Sequence, residues 1–123
     1  QVAGQYNEAI NAFKSVVQLN KAALAAEARY EIASCWFQLN KLSESEKAAF
    51  ETISKSGSYD YWITKAYILL GDIYFKQKDY FNAKATFQSV VENTTDPELK
   101  SEAQEKLNRV NAEDSQSSKV GEN

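Results

Sequence analysis

A chain of 123 residues is long enough for one domain with a modest hydrophobic core. Its formal charge of −3 provides no basic field for a phosphate backbone, so we expect no nucleic-acid partner. The sequence lacks histidine, the usual general base and zinc ligand, and has a single cysteine, Cys35, which excludes an internal disulfide. We therefore expect neither an enzyme nor a metal or cofactor site. The apolar neighbours Trp36 and Phe37 predict a buried, unreactive Cys35 thiol.

Three further features of the composition limit the class of protein. No apolar run approaches the roughly 18 residues that a membrane-spanning helix needs, so we expect no membrane insertion by this chain. One proline and four glycines favour helices over strands and tight turns. The chain begins at Gln1 and contains no methionine, so we expect it to be a segment of a longer protein.

Apolar residues at helical spacing predict six helices, each with one apolar stripe. In chain order the predicted helices cover residues 6–17, 23–39, 43–54, 61–76, 79–92 and 97–110. Gly57 is expected to take the left-handed conformation that ends the third helix. Asp96, followed by Pro97, is a start signal for the sixth helix. The polar residues 111–123 predict a fraying helix end and a flexible tail.

Several apolar residues recur at a fixed interval along the chain. Three residues of the first helix recur 74 positions later in the fifth: Tyr6, Ala9 and Phe13 correspond to Tyr80, Ala83 and Phe87. Half of that interval, 37, relates Phe13 to Phe50 and Tyr30 to Tyr67. We therefore predict tandem helix pairs with a period of 37, whose stripes stay buried by stacking. The predicted core aromatics are Phe13, Tyr30, Phe50, Tyr67, Tyr74, Tyr80 and Phe87.

The third helix fits this period less well than the others. At an interval of 37, the charged residue Glu46 takes the place that the small residue Ala83 holds in the fifth helix. A shift by one residue directs Leu42 and Ser45 inward instead. The rotation of this helix therefore stays open between two interpretations.

The fourth and fifth helices carry a motif of known type. Their residues read Tyr67-x-x-Leu70-Gly71-x-x-Tyr74 and then Ala83-x-x-x-Phe87. This pattern resembles the signature of the tetratricopeptide repeat (TPR) family, with tyrosine in place of the first tryptophan. The resemblance covers roughly residues 4–110. It implies an all-α fold in which antiparallel helix pairs stack as a right-handed superhelix, or α-solenoid.

The resemblance also implies a division of the chain. A TPR-like array covers residues 1–110, and a polar tail covers residues 111–123. The array comprises the second helix of one unit at 4–18, unit two at 22–56, unit three at 60–93 and a capping helix at 97–110. The first helix of unit one would precede Gln1, so Tyr6, Ile10 and Phe13 lack a partner. We predict that this N-terminal face pairs with a second chain.

Members of the TPR family bind partners in a concave groove lined by the first helix of each pair. The resemblance therefore implies a non-catalytic scaffold that binds a peptide or a partner protein there. The expected groove residues are Glu31, Cys35, Gln38, Lys65, Ile68, Asp72, Phe75 and Lys76. Phe75 is the expected aromatic anchor of a peptide, and its packing on a neighbouring loop or helix is the alternative.

An alternative function is a structural or self-assembly module within a longer repeat protein, with no peptide ligand. The units are longer than the family's usual length of about 34 residues. In this they are similar to the repeats of bacterial cell-envelope TPR proteins, including those that serve outer-membrane assembly. That similarity implies a location in the cell envelope or periplasm in preference to the cytoplasm.

Overall fold

The computed structural model describes residues 2–18, 22–58 and 60–121. Within these ranges the chain folds into six helices and contains no strand, which confirms the predicted all-α class. The helices are α1 (Val2–Gln18), α2 (Ala22–Gln38), α3 (Leu42–Lys55), α4 (Asp60–Lys76), α5 (Tyr80–Asn93) and α6 (Pro97–Gly121).

The chain divides into two compact units, Gln1–Leu69 and Leu70–Asn123. In the first unit α2 packs against both α1 and α3, and in the second unit α5 packs against α6. The boundary falls inside α4, which contributes its N-terminal part to one unit and its C-terminal part to the other.

The predicted start and stop signals are present. Asp96 caps α6, because its Oδ1 accepts hydrogen bonds from the backbone N–H groups of Glu98 (2.9 Å) and Leu99 (3.1 Å). Asp79 caps α5 in the same way and accepts a 3.2 Å bond from the backbone N–H of Asn82. Gly57 has a φ of +59°, the left-handed conformation predicted for the end of α3.

The helix pairs α2–α3 and α4–α5 are built alike. α2 and α4 are equal in length, as are α3 and α5. Asn40 (φ 59°) turns the chain in the first pair, and Lys78 (φ 62°) takes the same place in the second. The backbone N–H that closes the turn belongs to Lys41 in one pair and to Asp79 in the other. The repeat of the helix pairs is therefore one position longer than the predicted 37.

This longer repeat corresponds to one of the two predicted rotations of α3. Ser45 and Ala49 are fully buried, whereas Phe50 is 48% exposed. The Ser45 hydroxyl donates a 2.7 Å hydrogen bond to the backbone carbonyl of Ala33 on α2. The interpretation that directs Ser45 inward is thus confirmed, and the predicted core position of Phe50 is wrong.

The other predicted core aromatics divide into three groups. Phe87 is buried, with 1% of its surface exposed, as predicted. Tyr67 is 41% exposed, so its predicted core position is wrong, because Ala66 and Ile68 beside it take the buried positions on α4. The remaining four are half-buried: Phe13, Tyr30, Tyr74 and Tyr80.

A glycine allows close approach of α4 and α5 in the second unit. A Cβ atom at Gly71 would lie 2.4–2.8 Å from three ring atoms of Phe87. The equivalent positions of the first helix pair hold Ala33 and Ala49, both fully buried. With no ring opposite, a Cβ fits at Ala33. The two helix pairs thus fill the same contact with different combinations, glycine with phenylalanine and alanine with alanine.

The two ends of the chain differ from prediction. Ile10 is 2% exposed, so the prediction that it lacks a partner is wrong, since α1 packs on α2. The last helix continues to Gly121 instead of ending at Val110. Asp114 in this extension pairs with Lys84 of α5, which ties the predicted tail to the second unit. Residues 122 and 123 of that tail lie outside the described residues.

Candidate functional site

The predicted groove residues lie on two helices at helical spacing. α2 carries Glu31, Cys35 and Gln38. α4 carries Lys65, Ile68, Asp72, Phe75 and Lys76. Steps of three and four residues place each set along one face of its own helix. The first unit contains the α2 set together with Lys65 and Ile68. The second unit contains Asp72, Phe75 and Lys76.

Two of the predicted groove residues are buried. Ile68 is 2% exposed and Cys35 is 7% exposed, so neither presents a side chain to a partner in this structure. Burial raises the pKa of the Cys35 thiol, and the nearby carboxylate of Glu31 raises it further. A thiol with a raised pKa holds its proton, which fits the predicted unreactive cysteine.

An aromatic cluster lies beside the groove residues of the first unit. The ring centroids of Tyr30 on α2 and Trp62 on α4 are 5.7 Å apart. Tyr61 packs edge-on against Trp62 at 4.8 Å and is itself 48% exposed. The Lys65 ammonium lies 5.4 Å from the centroid of the Tyr30 ring, within the range of a cation–π interaction.

The sequence prediction missed the part that Tyr61 and Trp62 play in this cluster. Tyr61 lies four residues before Lys65, so both side chains project from one face of α4. The aromatic pair at the start of the helix, one turn ahead of a lysine, was the available signal. Neither aromatic residue recurs at the predicted interval of 37, so the periodic pattern did not indicate them.

Glu31, next to Tyr30 on α2, has a raised pKa in the folded chain. Partial burial raises its pKa, and repulsion by Glu27, one turn earlier on α2, raises it further. Attraction to Lys65 on α4 acts in the opposite direction and offsets part of the increase. The ionised form of Glu31 therefore destabilises the folded state.

Replacing Glu31 with glutamine should stabilise the chain at neutral pH. Because folding raises the pKa of Glu31, the folded state binds its proton more tightly, and stability falls as the pH rises through that pKa. We expect Glu31→Gln to raise Tm at pH 7, and we expect the gain to disappear below about pH 4, where the carboxyl is protonated in both states. Glu92→Gln on α5 removes the same charge and serves as the control. A lower Tm for Glu31→Gln at pH 7 would contradict the prediction.

In the second unit Asp72 belongs to a charged network. Its Oδ2 accepts a 2.7 Å hydrogen bond from the Lys106 ammonium on α6, and both side chains are about one-quarter exposed. Lys106 also lies 3.4 Å from a carboxylate oxygen of Glu102, one turn earlier. Sequence patterns did not indicate the Asp72–Lys106 pair, because the two residues are 34 positions apart.

Phe75 and Lys76 complete the predicted set on α4. Phe75 is half-buried, and its ring lies 5.9 Å from that of Tyr80 at the start of α5, with 47° between the ring planes. Phe75 therefore packs on a neighbouring helix, which was the alternative prediction, but part of its ring stays accessible. Lys76 is exposed.

Metal-binding groups and membrane-spanning helices can be assessed in the part of the chain that the structure describes. That part holds no group of three or more histidine, cysteine, aspartate and glutamate side chains able to bind a metal ion. Nor does any helix there have the length and apolar character needed to cross a bilayer.

Helix pairs that recur along the chain with matching helix lengths are the architecture of a helical-repeat protein. Two family models, both described as Tetratricopeptide repeat, match residues 1–61 and 65–93. The chain therefore belongs to the tetratricopeptide repeat family, as its signature predicted. Neither the curated proteins nor the solved structures gave a match. Repeats of this family are in general non-catalytic scaffolds for protein–protein interaction, so a protein is the expected class of partner.

Proposed function

We propose that the chain binds a peptide or partner protein through the accessible members of the predicted groove set. These residues are Glu31, Gln38, Lys65, Asp72, Phe75 and Lys76. Cys35 and Ile68 support the surface from within, because their side chains are buried.

The proposal depends chiefly on the aromatic cluster of the first unit. Tyr61 is exposed on the face of α4 that carries Lys65, and Tyr30 and Trp62 lie directly beside them. Tyrosine and tryptophan are among the residues enriched in binding hot spots. Because nearly half of the Tyr61 surface is exposed, packing of the hydrophobic core does not explain a tyrosine at this position.

Existing contacts reduce the cost of binding at these residues. Lys65 is positioned over Tyr30, and Asp72 is held by Lys106 before any partner arrives. A side chain that is already ordered loses less conformational freedom when a ligand binds. The half-buried ring of Phe75 has the same advantage in the second unit.

The test uses two variants, one for each unit. The first combines Tyr61→Ala with Lys65→Ala, and the second combines Phe75→Ala with Lys76→Ala. Each variant and the unchanged chain are immobilised separately. The proteins that each one retains are identified by mass spectrometry and compared. Because hot-spot truncations cost more than about 1 kcal/mol, we expect at least one variant to weaken a specific partner about fivefold or more.

Matched controls remove the same residue types elsewhere. Tyr67→Ala with Lys41→Ala serves the first unit, and Phe81→Ala with Lys78→Ala serves the second, since all four side chains are exposed. Retention that is unchanged in both groove variants, with melting curves like those of the controls, would reject the groove. The alternative, a structural module without a peptide ligand, would then be favoured.

The association of the N-terminal face with a second chain stays a prediction. Fewer residues form this face than the sequence indicated. Val2 is 66% exposed, and Tyr6 and Phe13 on the same stripe of α1 are half-buried. Ile10 is no longer part of this face. Light scattering at increasing concentration measures the association, and a constant monomer mass would exclude it.

A further inference from the structure

A cleft of about 370 Å³ opens in the first unit. Its apolar lining comes from three helices: Val17 of α1, Ile32 and Trp36 of α2, and Ala48 of α3. Successive residues are about 100° apart around a helix, so Ile32 and Trp36 face away from the side that carries Glu31 and Gln38. The cleft is therefore distinct from the predicted groove.

The size and lining of the cleft suit a bulky side chain. Small-ligand sites in proteins begin at about 300 Å³, so the cleft has room for an aromatic or leucine side chain and its backbone. Val17, Ile32 and Trp36 are only half-buried, which leaves apolar surface in contact with water. An apolar side chain placed there would remove that surface from water, a favourable change.

The charges around the cleft are mainly positive and unpaired. Each helix contributes one cation: Lys14 from α1, Arg29 from α2 and Lys47 from α3. None of the three forms an ion pair with a carboxylate in the described part of the chain. Two carboxylates, Glu44 and Glu51, also line the cleft, but Glu51 lies 3.5 Å from the Lys55 ammonium.

Arg29 is held in place for binding. Its Nη1 donates a 3.0 Å hydrogen bond to the backbone carbonyl of Lys55 at the end of α3, which anchors one part of the planar group. A guanidinium has five N–H donors in a fixed plane, so other donors stay available to a carboxylate. An anchored arginine beside an apolar floor favours an acidic group next to an apolar one.

We propose that this cleft binds a segment of a partner protein in which a bulky apolar side chain is flanked by acidic residues. The apolar side chain occupies the floor formed by Ile32 and Trp36. The flanking carboxylates pair with Arg29 and with the lysines on either side. Because a chain with a net charge of −3 repels acidic partners at long range, this local positive rim is what allows the approach.

The probe is the hexapeptide acetyl-Asp-Glu-Phe-Leu-Glu-Asp-amide, added to the full 123-residue chain. The readout is the indole N–H signal of Trp36 in ¹H–¹⁵N spectra, distinguished from that of Trp62 by a Trp62→Phe variant. We expect a saturable shift of the Trp36 signal and a smaller shift of the Trp62 signal. A peptide with lysine in place of every acidic residue, and one with glycine in place of Phe and Leu, should each bind at least about tenfold more weakly, a difference of about 1.4 kcal/mol.

Charge reversal in the protein tests the rim directly. Lys14→Glu with Lys47→Glu should raise the Kd of the acidic peptide at least about tenfold. Lys41→Glu with Lys100→Glu makes the same change in net charge at exposed positions outside the cleft and should leave the Kd within about twofold. All four lysines are exposed, so the fold should tolerate both variants, and circular dichroism checks that it does.

Three results would overturn the proposal. The first is the absence of a saturable Trp36 shift. The second is equal affinity for the acidic and basic peptides, or for the two charge-reversed proteins. The third is a peptide-free Trp36 shift that grows with protein concentration while sedimentation shows a dimer, since a second copy would then occupy the cleft. The groove variant with Tyr61→Ala and Lys65→Ala should bind the peptide unchanged, which separates this proposal from the previous one.

Discussion

Replacing Gly71 with alanine should destabilise the chain by about 2 kcal/mol, the net of an overpacking cost near 3 kcal/mol and a gain in helix propensity near 1 kcal/mol. The added Cβ would lie 2.4–2.8 Å from three atoms of the Phe87 ring. Phe87 is 1% exposed, so the ring has no open space into which to move. In an exposed helix the same substitution would be stabilising, because alanine is the better helix former.

A double-mutant cycle isolates this contact. Phe87→Ala alone should cost about 3–5 kcal/mol through the cavity that it leaves. The double variant, Gly71→Ala with Phe87→Ala, should be more stable than the sum predicts, by up to about 3 kcal/mol, because the new methyl group then has room and the overpacking cost is lost. It reproduces the combination that Ala33 and Ala49 form in the first unit.

Urea unfolding followed by circular dichroism measures each free energy of the cycle. Where Phe87→Ala does not fold, Phe87→Leu leaves a smaller cavity and serves in its place. Additive effects, or a Gly71→Ala variant as stable as the parent, would show that the ring and the glycine do not share a packing contact.

Local patterns in the sequence predicted the fold well. The apolar stripes indicated the helices, and Asp96 with Pro97 indicated where α6 begins. The motif from Tyr67 to Phe87 indicated the family, because its spacing reflects contacts inside a single helix pair. Such contacts depend on neighbours in sequence, which is why one sequence was sufficient to find them.

The rotation of α3 was the part of the fold that periodicity left open. The turn that precedes α3, at Asn40, sets where the helix begins, and neighbouring residues then differ by about 100° in direction. A period counted from Phe13 selected Phe50, the more hydrophobic of two adjacent residues, although Ala49 faces the core. Close packing against α2 requires small side chains, so size decided the rotation and hydrophobicity did not.

The candidate site was less predictable than the fold. Helical spacing placed the groove residues on α2 and α4, but it did not show that Ile68 and Cys35 are buried. Burial depends on which neighbouring element covers a residue. The partner of Asp72, Lys106, lies on a helix 34 positions away, and only the packing of the second unit brings the two together. The cleft of the first unit depends in the same way on three helices.

The rotation of α3 can be tested with two adjacent substitutions. Ala49→Phe should destabilise the chain by about 3 kcal/mol, because Ala49 is fully buried and the added ring has no room beside Ala33. Phe50→Ala should cost less than about 1 kcal/mol, since nearly half of the Phe50 side chain is already exposed. The predicted core position of Phe50 implied instead a large loss on Phe50→Ala. Urea unfolding of the two variants ranks them directly.

A compensating change separates a specific clash from general sensitivity at this position. Ala33→Gly alone should cost about 1 kcal/mol, because glycine weakens the interior of α2. Combined with Ala49→Phe, it recreates the glycine–phenylalanine contact of Gly71 and Phe87, so the double variant should recover about 1–2 kcal/mol relative to additivity. Recovery would show that both helix pairs of the chain share one packing geometry with interchangeable side chains. Without recovery, the distance between α2 and α3 would have to differ from that between α4 and α5. The two helix pairs would then share their helix lengths but not their packing contacts.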